Sequence, residues 1–298
     1  MKGAVFNKVW RTLRRTADWA RVCSSKLAGA SPAEPFDGEA RVALLCVSFN
    51  TRELSKLMLL TLADQPWAAR LSRLVVVDNS SSDGSRQLLA ELARASRVEL
   101  VDNRGPTSHG YGLRLGTDYI LQSEARLPRE RRSNVLLVVD SDVVFLRADT
   151  LDAVTSALAA PRAGALGELQ FDLGEPYAHP CCLFVRVDAL ADPRVWPFVD
   201  HGAPALWLQR SLRCAGRQVV DFPLRSEEHV VHRGRASIAA VNRLGLRDPY
   251  QNVRDDAHFH GNPRGAELWS QLETRHIGRL KTAGDPAFLA YVSERLGR

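Results

Sequence analysis

The stretch Val135-Leu-Leu-Val-Val-Asp140-Ser-Asp142 consists of five apolar residues followed by two carboxylates one residue apart. A continuous apolar run of this kind is typical of a strand buried on both faces of a parallel sheet. The two carboxylates would direct hard oxygen ligands to one point, which suits Mg²⁺ or Mn²⁺. The stretch therefore predicts a buried strand that ends in a metal site, although an isolated Asp-x-Asp also occurs in solvated turns.

Three more apolar runs precede this strand and alternate with segments of helical spacing. Strands are predicted over 42–49, 73–77 and 98–101, and helices over 54–62, from the capping residue Asp83 to about 95, and over 112–122. This succession predicts an α/β fold with a Rossmann-like, mostly parallel sheet and helices on both faces. Ligands of such sheets bind at the carboxyl ends of the strands, where the polar residues are Ser48, Asn50, Asp78, Asn79, Asp102, Asn103, Asp140 and Asp142.

The second half of the chain is less regular. Strands are predicted over 165–171, 183–187, 218–221 and 229–232, and a helix over 205–214. Residues after 263 predict C-terminal helices. This mixture is typical of an α+β arrangement appended to the parallel strands.

The charge of the chain is concentrated at its start. The formal net charge is +6, but residues 1–30 hold seven of the 40 basic residues and one of the 34 acidic ones, so the remainder is formally neutral. A neutral body does not support nucleic-acid binding. Residues 5–22 predict a basic amphipathic helix with two open interpretations: a helix docked on the body or partly disordered, which its shortness favours, or one lying on an anionic membrane surface.

The cysteine pattern and the sequence of the amino terminus give an expectation for the cellular compartment. The five cysteines are odd in number and include no Cys-x-x-Cys pair, so neither a disulfide framework nor a thiolate zinc site is expected. The start of the chain lacks the continuous apolar core of a secretory signal. These features predict a cytoplasmic protein, peripheral at the inner membrane face if residues 1–30 contact lipid.

Three motifs occur together in this sequence: Val47-Ser-Phe-Asn50-Thr-Arg-Glu-Leu54, Val77-Asp78-Asn79-Ser-Ser-Ser-Asp83-Gly84-Ser85, and Val139-Asp140-Ser-Asp142. Their order and spacing resemble family 2 glycosyltransferases of the GT-A fold. The resemblance covers about residues 41–146 well and the remainder loosely. The resemblance implies a GT-A domain over 41–262, between the basic helix and linker predicted at 1–40 and the C-terminal helical extension predicted at 263–298. Within the domain, residues 41–146 are here called the donor-side half, and residues 147–262 the acceptor-side half.

The resemblance also implies roles for single residues on the donor side. Asp78 would contact the nucleoside base, Ser48 and Asn50 would line its pocket, and Asp140 and Asp142 would hold the metal, Mn²⁺ or Mg²⁺, and the diphosphate. A nucleoside diphosphate sugar, with uridine favoured, would be the donor. Between Asn103 and Gly116 this sequence departs from the family's glycine-spaced loop by a short insertion and by the residues His109 and Arg114. His109 is predicted to touch the diphosphate or the sugar, whereas Arg114 is more often a surface residue.

A third metal ligand is expected in the segment Glu228-His229-Val-Val-His232-Arg-Gly234-Arg-Ala-Ser237. This segment resembles the family's late histidine-containing stretch, in which a histidine completes the site. His232 is preferred over His229 because it precedes the glycine and serine as in the family.

The general base is where the sequence departs most from the family. An inverting transferase needs a group that takes the proton of the acceptor hydroxyl. Relatives have Glu-Asp where this chain has Ala203 and Pro204, and the nearest carboxylate is Asp200. Asp200 is therefore the predicted base. His201 is the first alternative, and Glu168 and Asp172 are further candidates. A non-catalytic nucleotide-sugar-binding protein with a degenerate site is the alternative function.

Overall fold

The apolar runs of the sequence form the strands of one central sheet. The computed structural model describes residues 36–105, 108–171, 174–199, 203–236 and 257–297. Its strands are β1 (Val42–Ser48), β2 (Leu71–Asp78), β3 (Val98–Asp102), β4 (Val135–Asp140), β5 (Val143–Phe145), β6 (Ala163–Gly167), β7 (Leu169–Gln170), β8 (Tyr177–Ala178), β9 (Cys182–Arg186), β10 (Gln218–Asp221) and β11 (Val230–His232).

Eight α-helices are found in the described residues. They are α1 (Arg52–Ala63), α2 (Ser85–Ala95), α3 (His109–Glu124), α4 (Thr150–Leu158), α5 (Val187–Leu190), α6 (Leu206–Cys214), α7 (Gly265–Leu280) and α8 (Asp285–Leu296). Short 3₁₀ helices cover Pro66–Arg70, Arg129–Arg131, Phe259–Gly261 and Thr282–Gly284.

The central sheet has seven strands in the order β10-β6-β9-β4-β1-β2-β3. Strands β1, β2, β3 and β4 of the donor-side half are parallel neighbours. Strand β9 runs antiparallel to both β4 and β6, and β10 is parallel to β6. The predicted α/β fold with a mostly parallel sheet is confirmed.

Both faces of the sheet are covered, as the continuous apolar runs predict. Along β1, Val42, Leu44 and Cys46 join the core formed with α1, α2, α4, α7 and α8. The alternate residues Ala43, Leu45 and Val47 join a second core formed with α3, α5 and α6. The C-terminal helices are therefore part of the same core as α1.

Several elements differ from the sequence-based expectation. Helix α3 begins at His109 instead of residue 112, because the Ser108 hydroxyl accepts a hydrogen bond from Tyr111 N at 3.3 Å and caps the helix there. The strand predicted over 165–171 is divided into β6 and β7, between which Glu168 leaves the ladder. The predictions also omitted β5 and α4, which follow directly after the metal motif.

Several predictions fall on residues outside the described ranges. They concern the amphipathic helix at 5–22, most of the linker that follows it, and the candidate bases Asp172, Asp200 and His201. Within the described ranges, no helix combines the length and the apolar character that crossing a bilayer requires.

Candidate active site

Asp140 and Asp142 lie at the carboxyl end of β4, with His232 beside them. Nε2 of His232 is 3.2 Å from Oδ1 of Asp142 and 3.5 Å from Oδ2 of Asp140. One donor atom from each of the three side chains lies within 4.8 Å of the other two. The side chains of Asp142 and His232 are only 5% and 4% exposed. This is a nearly buried set of two carboxylates and one imidazole, close enough to hold one divalent cation.

A two-stranded ribbon brings His232 to the carboxylates. Strand β11 pairs antiparallel with β5, and His232 stands opposite Val143, the residue after Asp142. Arg233 N donates to the carbonyl oxygen of Asp142 at 3.0 Å, which continues the pairing by one residue. The backbone of the second metal aspartate is thus tied directly to the histidine strand.

The other histidine of the same segment lies elsewhere. Nδ1 of His229 is 3.1 Å from the Thr150 hydroxyl, and its ring packs 5.3 Å from that of Phe222. The structure thus brings His232 to the aspartate pair and leaves His229 in contact with helix α4.

The three side chains shift one another's pKa values. Burial alone would raise the pKa of Asp142, but the charge and hydrogen bond of His232 outweigh it, and the pKa is lowered. Burial raises the pKa of Asp140, and His109 and His232 oppose that shift only in part. Burial would lower the pKa of His232, but Cys181 and Asp142 outweigh it and hold this pKa well above its usual value.

His109 approaches the same site from the donor-side half. It is the first residue of α3, and its Nε2 lies 3.3 Å from Oδ1 of Asp140. Both of these atoms are buried and have no hydrogen bond among the described residues. Buried polar atoms without a hydrogen bond are uncommon in native proteins and are often completed by a ligand. Helix amino termini favour anions, and the contact of His109 with the diphosphate or the sugar stays a prediction.

Asp78 and Asn50 organise the loop after β2. Oδ2 of the fully buried Asp78 accepts from Ser81 N at 3.0 Å, while Oδ1 has no hydrogen bond among the described residues. Burial is the main reason that the pKa of Asp78 is raised. Asn50 Oδ1 accepts from Ser82 N at 2.7 Å, which holds the loop against the end of β1. Asp78 therefore has one oxygen fixed by the loop and one oxygen that a ligand N–H would satisfy.

Ser48 and Asp83 have local partners. The buried Ser48 hydroxyl lies 3.1 Å from that of Ser55 and 3.2 Å from that of Thr51. Asp83 accepts from Ser85 N at 3.0 Å and from Arg52 N at 2.9 Å, so it ties together the starts of α1 and α2. The contact of Ser48 with a nucleoside stays a prediction, and Asp83 has a sufficient structural role.

One of the four candidate bases lies within the described residues. Asp200, His201 and Asp172 lie outside the described residues. Glu168 is described, and its Oε2 accepts from Arg225 N and, at 3.1 Å, from Ser226 N. Through these bonds Glu168 holds the turn before β11. It is therefore a weaker candidate for the general base than the sequence alone indicates.

The structure adds a group of histidines that the sequence reasoning did not assign. The ring of His260 stacks on that of His232 with centroids 4.4 Å apart and an angle of 9°. His179 lies 5.6 Å from His232 and 5.4 Å from His260, and His258 lies 4.8 Å from His260. Burial and the charge of His232 lower the pKa of His260 to about 3. The pair His258-Phe-His260 was the available signal, because two of only eight histidines occur there.

Comparison with known proteins gives a result for structures alone. No protein-family model matches the chain, and no curated protein matches it. Glucosyl-3-phosphoglycerate synthase from Mycobacterium tuberculosis with Mn2+, UDP and phosphoglyceric acid aligns over 70% of this chain and 80% of its own, at 14% identity and a TM-score of 0.45. The S. aureus protein TarS, residues 1–349, aligns over 58% of this chain and 55% of its own, at 15% identity and a TM-score of 0.44.

The mannosyltransferase PcManGT from Pyrobaculum calidifontis, solved with GDP-Man and Mn2+, aligns more extensively. The alignment covers 96% of this chain and 84% of PcManGT, at 17% identity and a TM-score of 0.51. A likeness at this identity concerns the fold and not the activity. The chain therefore has a GT-A-type fold, as its three motifs predict.

Proposed function

We propose that this chain is a metal-dependent transferase that moves a sugar from a nucleoside diphosphate sugar to a hydroxyl acceptor. The observation that carries the proposal is the meeting of Asp140, Asp142 and His232 at the carboxyl end of a central strand. This end of a parallel sheet is where α/β proteins bind nucleotides. PcManGT, which shares the fold, was solved with GDP-Man and Mn2+, and a donor and metal of this chemistry suit the cluster.

The donor set fits a divalent metal, with Mn²⁺ preferred over Mg²⁺. Carboxylate oxygens suit both ions, whereas the imidazole of His232 suits Mn²⁺ better, because Mg²⁺ rarely takes nitrogen ligands in proteins. When bound, the metal would neutralise the charge of the leaving diphosphate. Asp140, Asp142 and His232 would hold it, and His109 would contact the diphosphate from the start of α3.

The nucleoside would be recognised by Asp78. Its Oδ1 atom is buried without a hydrogen bond among the described residues. A pyrimidine such as uracil presents an N3–H group that can donate a hydrogen bond to a carboxylate. This favours a uridine diphosphate sugar. Asn50 would support this contact indirectly, because it holds the loop that fixes the other oxygen of Asp78.

The acceptor hydroxyl would lose its proton to Asp200 in a single in-line displacement that inverts the anomeric centre. Asp200 precedes helix α6 and stands close in sequence to the positions where relatives have Glu-Asp. A carboxylate near the reacting hydroxyl performs general base catalysis of this kind.

The alternative is a protein that binds nucleotide sugars without transferring them. Its support is the pair Ala203 and Pro204, which replaces the family's Glu-Asp and carries no group able to accept a proton. Hydrolysis or transfer of the donor in Mn²⁺ separates the two proposals.

Donor binding is tested by thermal shift with uridine, guanosine and thymidine diphosphate sugars, with Mn²⁺ or with chelator. In Mn²⁺, one donor at about 100 times its Kd should stabilise the protein by about 2.7 kcal/mol. The shift should vanish in chelator, because Asp140 and Asp142 then repel the diphosphate. It should also vanish in Asp142→Asn but persist in Asp152→Asn, whose exposed carboxylate pairs with Arg70. An equal shift with and without chelator would contradict the metal assignment.

A further inference from the structure

Arg225 is a nearly buried cation whose side chain makes few polar contacts. The side chain is 8% exposed, and its Nε lies 3.6 Å from Oε2 of Glu168. This separation is too long for a hydrogen bond. In the part of the chain that the structure describes, the guanidinium donates no hydrogen bond. Charged donors that are buried without an acceptor are costly, so a group that accepts from this guanidinium is expected.

The other buried lysine and arginine side chains of the described residues are Lys56 and Arg186. Both are satisfied by the protein itself. Nζ of Lys56 donates to Oδ1 of Asp285 at 2.9 Å. Nε and Nη2 of Arg186 donate to the two oxygens of Asp188 at 2.9 and 2.6 Å. Arg225 therefore differs from the buried cations that serve the fold alone.

Glu168 balances the charge of Arg225 without satisfying its N–H groups. Oε2 of Glu168 accepts from Arg225 N and, at 3.1 Å, from Ser226 N. These backbone bonds stabilise the carboxylate where it lies. The guanidinium keeps its planar fork of donors, which suits a ligand with two oxygens.

The topology of the sheet places this pair at the same edge as the metal cluster. Strands β6 and β4 both run antiparallel to β9, so they share a direction and a carboxyl edge. Glu168 follows β6 directly, and Asp140 ends β4. The two strands are two positions apart in the sheet, which is about 10 Å. Burial is the main cause of the lowered pKa of His260, and the charges of His232 and Arg225 add to it. The guanidinium therefore lies on the side of the histidines.

We propose that Arg225 is the centre of an anion-binding site that holds a phosphate or carboxylate group of the acceptor. Both groups offer a pair of oxygens to the guanidinium fork. In the proposed reaction, the transferred sugar lies between the metal-bound diphosphate and the acceptor. A group of the acceptor therefore belongs farther from Asp140 and Asp142 than the donor phosphates do. The assignment to the acceptor rests on the proposed function, whereas the anion site itself does not.

The test is calorimetric titration of the full-length protein with methyl phosphate and with acetate. It is done in chelator and again with Mn²⁺ and the nucleoside diphosphate of the donor found by thermal shift. At least one anion should bind the wild type in both conditions, and Arg225→Gln should lower its affinity about tenfold or more. Arg264→Gln is the matched control and should bind like the wild type, because Arg264 is exposed and pairs with Glu228. The tighter of the two probes identifies the bound group as phosphate or carboxylate.

A second variant covers the case in which Arg225→Gln does not fold. Glu168→Gln keeps an oxygen for the two backbone N–H groups but removes the negative charge beside Arg225, so it should bind the anion several-fold more tightly. The proposal is overturned if neither anion binds the wild type, if Arg225→Gln binds like the wild type, or if Glu168→Gln does not strengthen binding. Anion binding that disappears with Mn²⁺ and the nucleoside diphosphate would assign Arg225 to the donor and overturn its acceptor role. A chain that binds methyl phosphate or acetate through Arg225 but binds no nucleotide sugar would refute the proposed function and leave the anion site standing.

Discussion

The donor-side and acceptor-side halves hold their site residues in different ways. In the donor-side half, Asp78 and Asp140 end strands that lie in a continuous parallel ladder. In the acceptor-side half, His179 lies in a turn, and His232 lies on a strand of three residues. The donor-side positions are therefore set by the sheet and its two cores, whereas the acceptor-side positions depend on short segments that reach back to β4.

This difference predicts that substitutions in the two halves affect different properties of the protein. A substitution among the parallel strands or the helix packed on them should disturb the fold or the binding of the nucleotide. A substitution in the acceptor-side half, apart from the metal ligand His232, should spare both and change turnover. Three substitutions test this division.

The largest effect is expected for Asp200→Asn. The amide has the shape of the carboxylate but cannot take the proton of an acceptor hydroxyl. Transfer, or hydrolysis of the donor found in the thermal-shift screen, should fall by roughly 10²–10⁴-fold, the range typical of a lost general base. Donor and Mn²⁺ affinity, measured by calorimetry, should stay nearly unchanged.

His201→Gln is the comparison for that variant, because His201 is the neighbouring alternative base. It should retain most of the turnover if Asp200 is the base. If Asp200→Asn instead turns over like the wild type, Asp200 only supports the loop before α6, since asparagine is itself a good helix cap.

A smaller effect is expected for Asp78→Asn, on binding alone. The amide places an N–H₂ group or a weaker acceptor where the base presents its N–H. Losing a hydrogen bond to a charged group costs about 1.5–3 kcal/mol, so affinity for uridine diphosphate should fall by roughly 10–100-fold while Mn²⁺ affinity is kept. Asp102→Asn is the matched control, because Asp102 stands directly opposite Asp78 in the β2–β3 register and pairs with Arg86 and Arg104. Equal losses in the two variants would exclude a specific contact between Asp78 and the base.

The same division explains what the sequence could predict. The runs that form β1, β2 and β4 are buried on both faces, so apolar continuity alone locates the strands, and the polar residue after each run marks the ligand-binding edge. Asp140 and Asp142 were found in this way. His232 was found only by resemblance to a family, because three residues of β11 are too few for a periodic signal.

The remaining site residues could not be predicted for the same reason. His179 and Cys181 flank Pro180 in a turn and meet His232 only because β9 pairs with β4 and β11 pairs with β5. The residues His258 and His260 reach the site from a short 3₁₀ turn in which Phe259 and His260 have positive φ angles of 48° and 39°. Contacts of this kind depend on tertiary structure and leave no local pattern in the sequence.

The smallest effect is expected for Gly116→Ala, and it concerns stability. Helix α3 lies close to β1 and β2, and an added Cβ at Gly116 would come within 2.9 Å of Val77 Cγ2 and still closer to Leu45 Cδ1. Both neighbours are fully buried in the second core, so they cannot give way cheaply. Such overpacking costs about 1–3 kcal/mol, against which alanine recovers about 1 kcal/mol of helix propensity.

Gly278→Ala adds the same methyl group to a helix, but at Gly278, in the last turn of α7, nothing lies within 4 Å of the new Cβ. It should therefore raise the free energy of unfolding by up to about 1 kcal/mol, while Gly116→Ala lowers it by up to about 2 kcal/mol. Urea denaturation of both variants measures the opposite signs directly. If Gly116→Ala were as stable as Gly278→Ala, the close approach of α3 would not be needed, and the donor-side positions would be less firmly set by packing than the ladder indicates. His109 lies on the same helix as Gly116. If Gly116→Ala were less stable than the wild type but still bound nucleotide with normal affinity, stability and binding would be independent within the donor-side half as well.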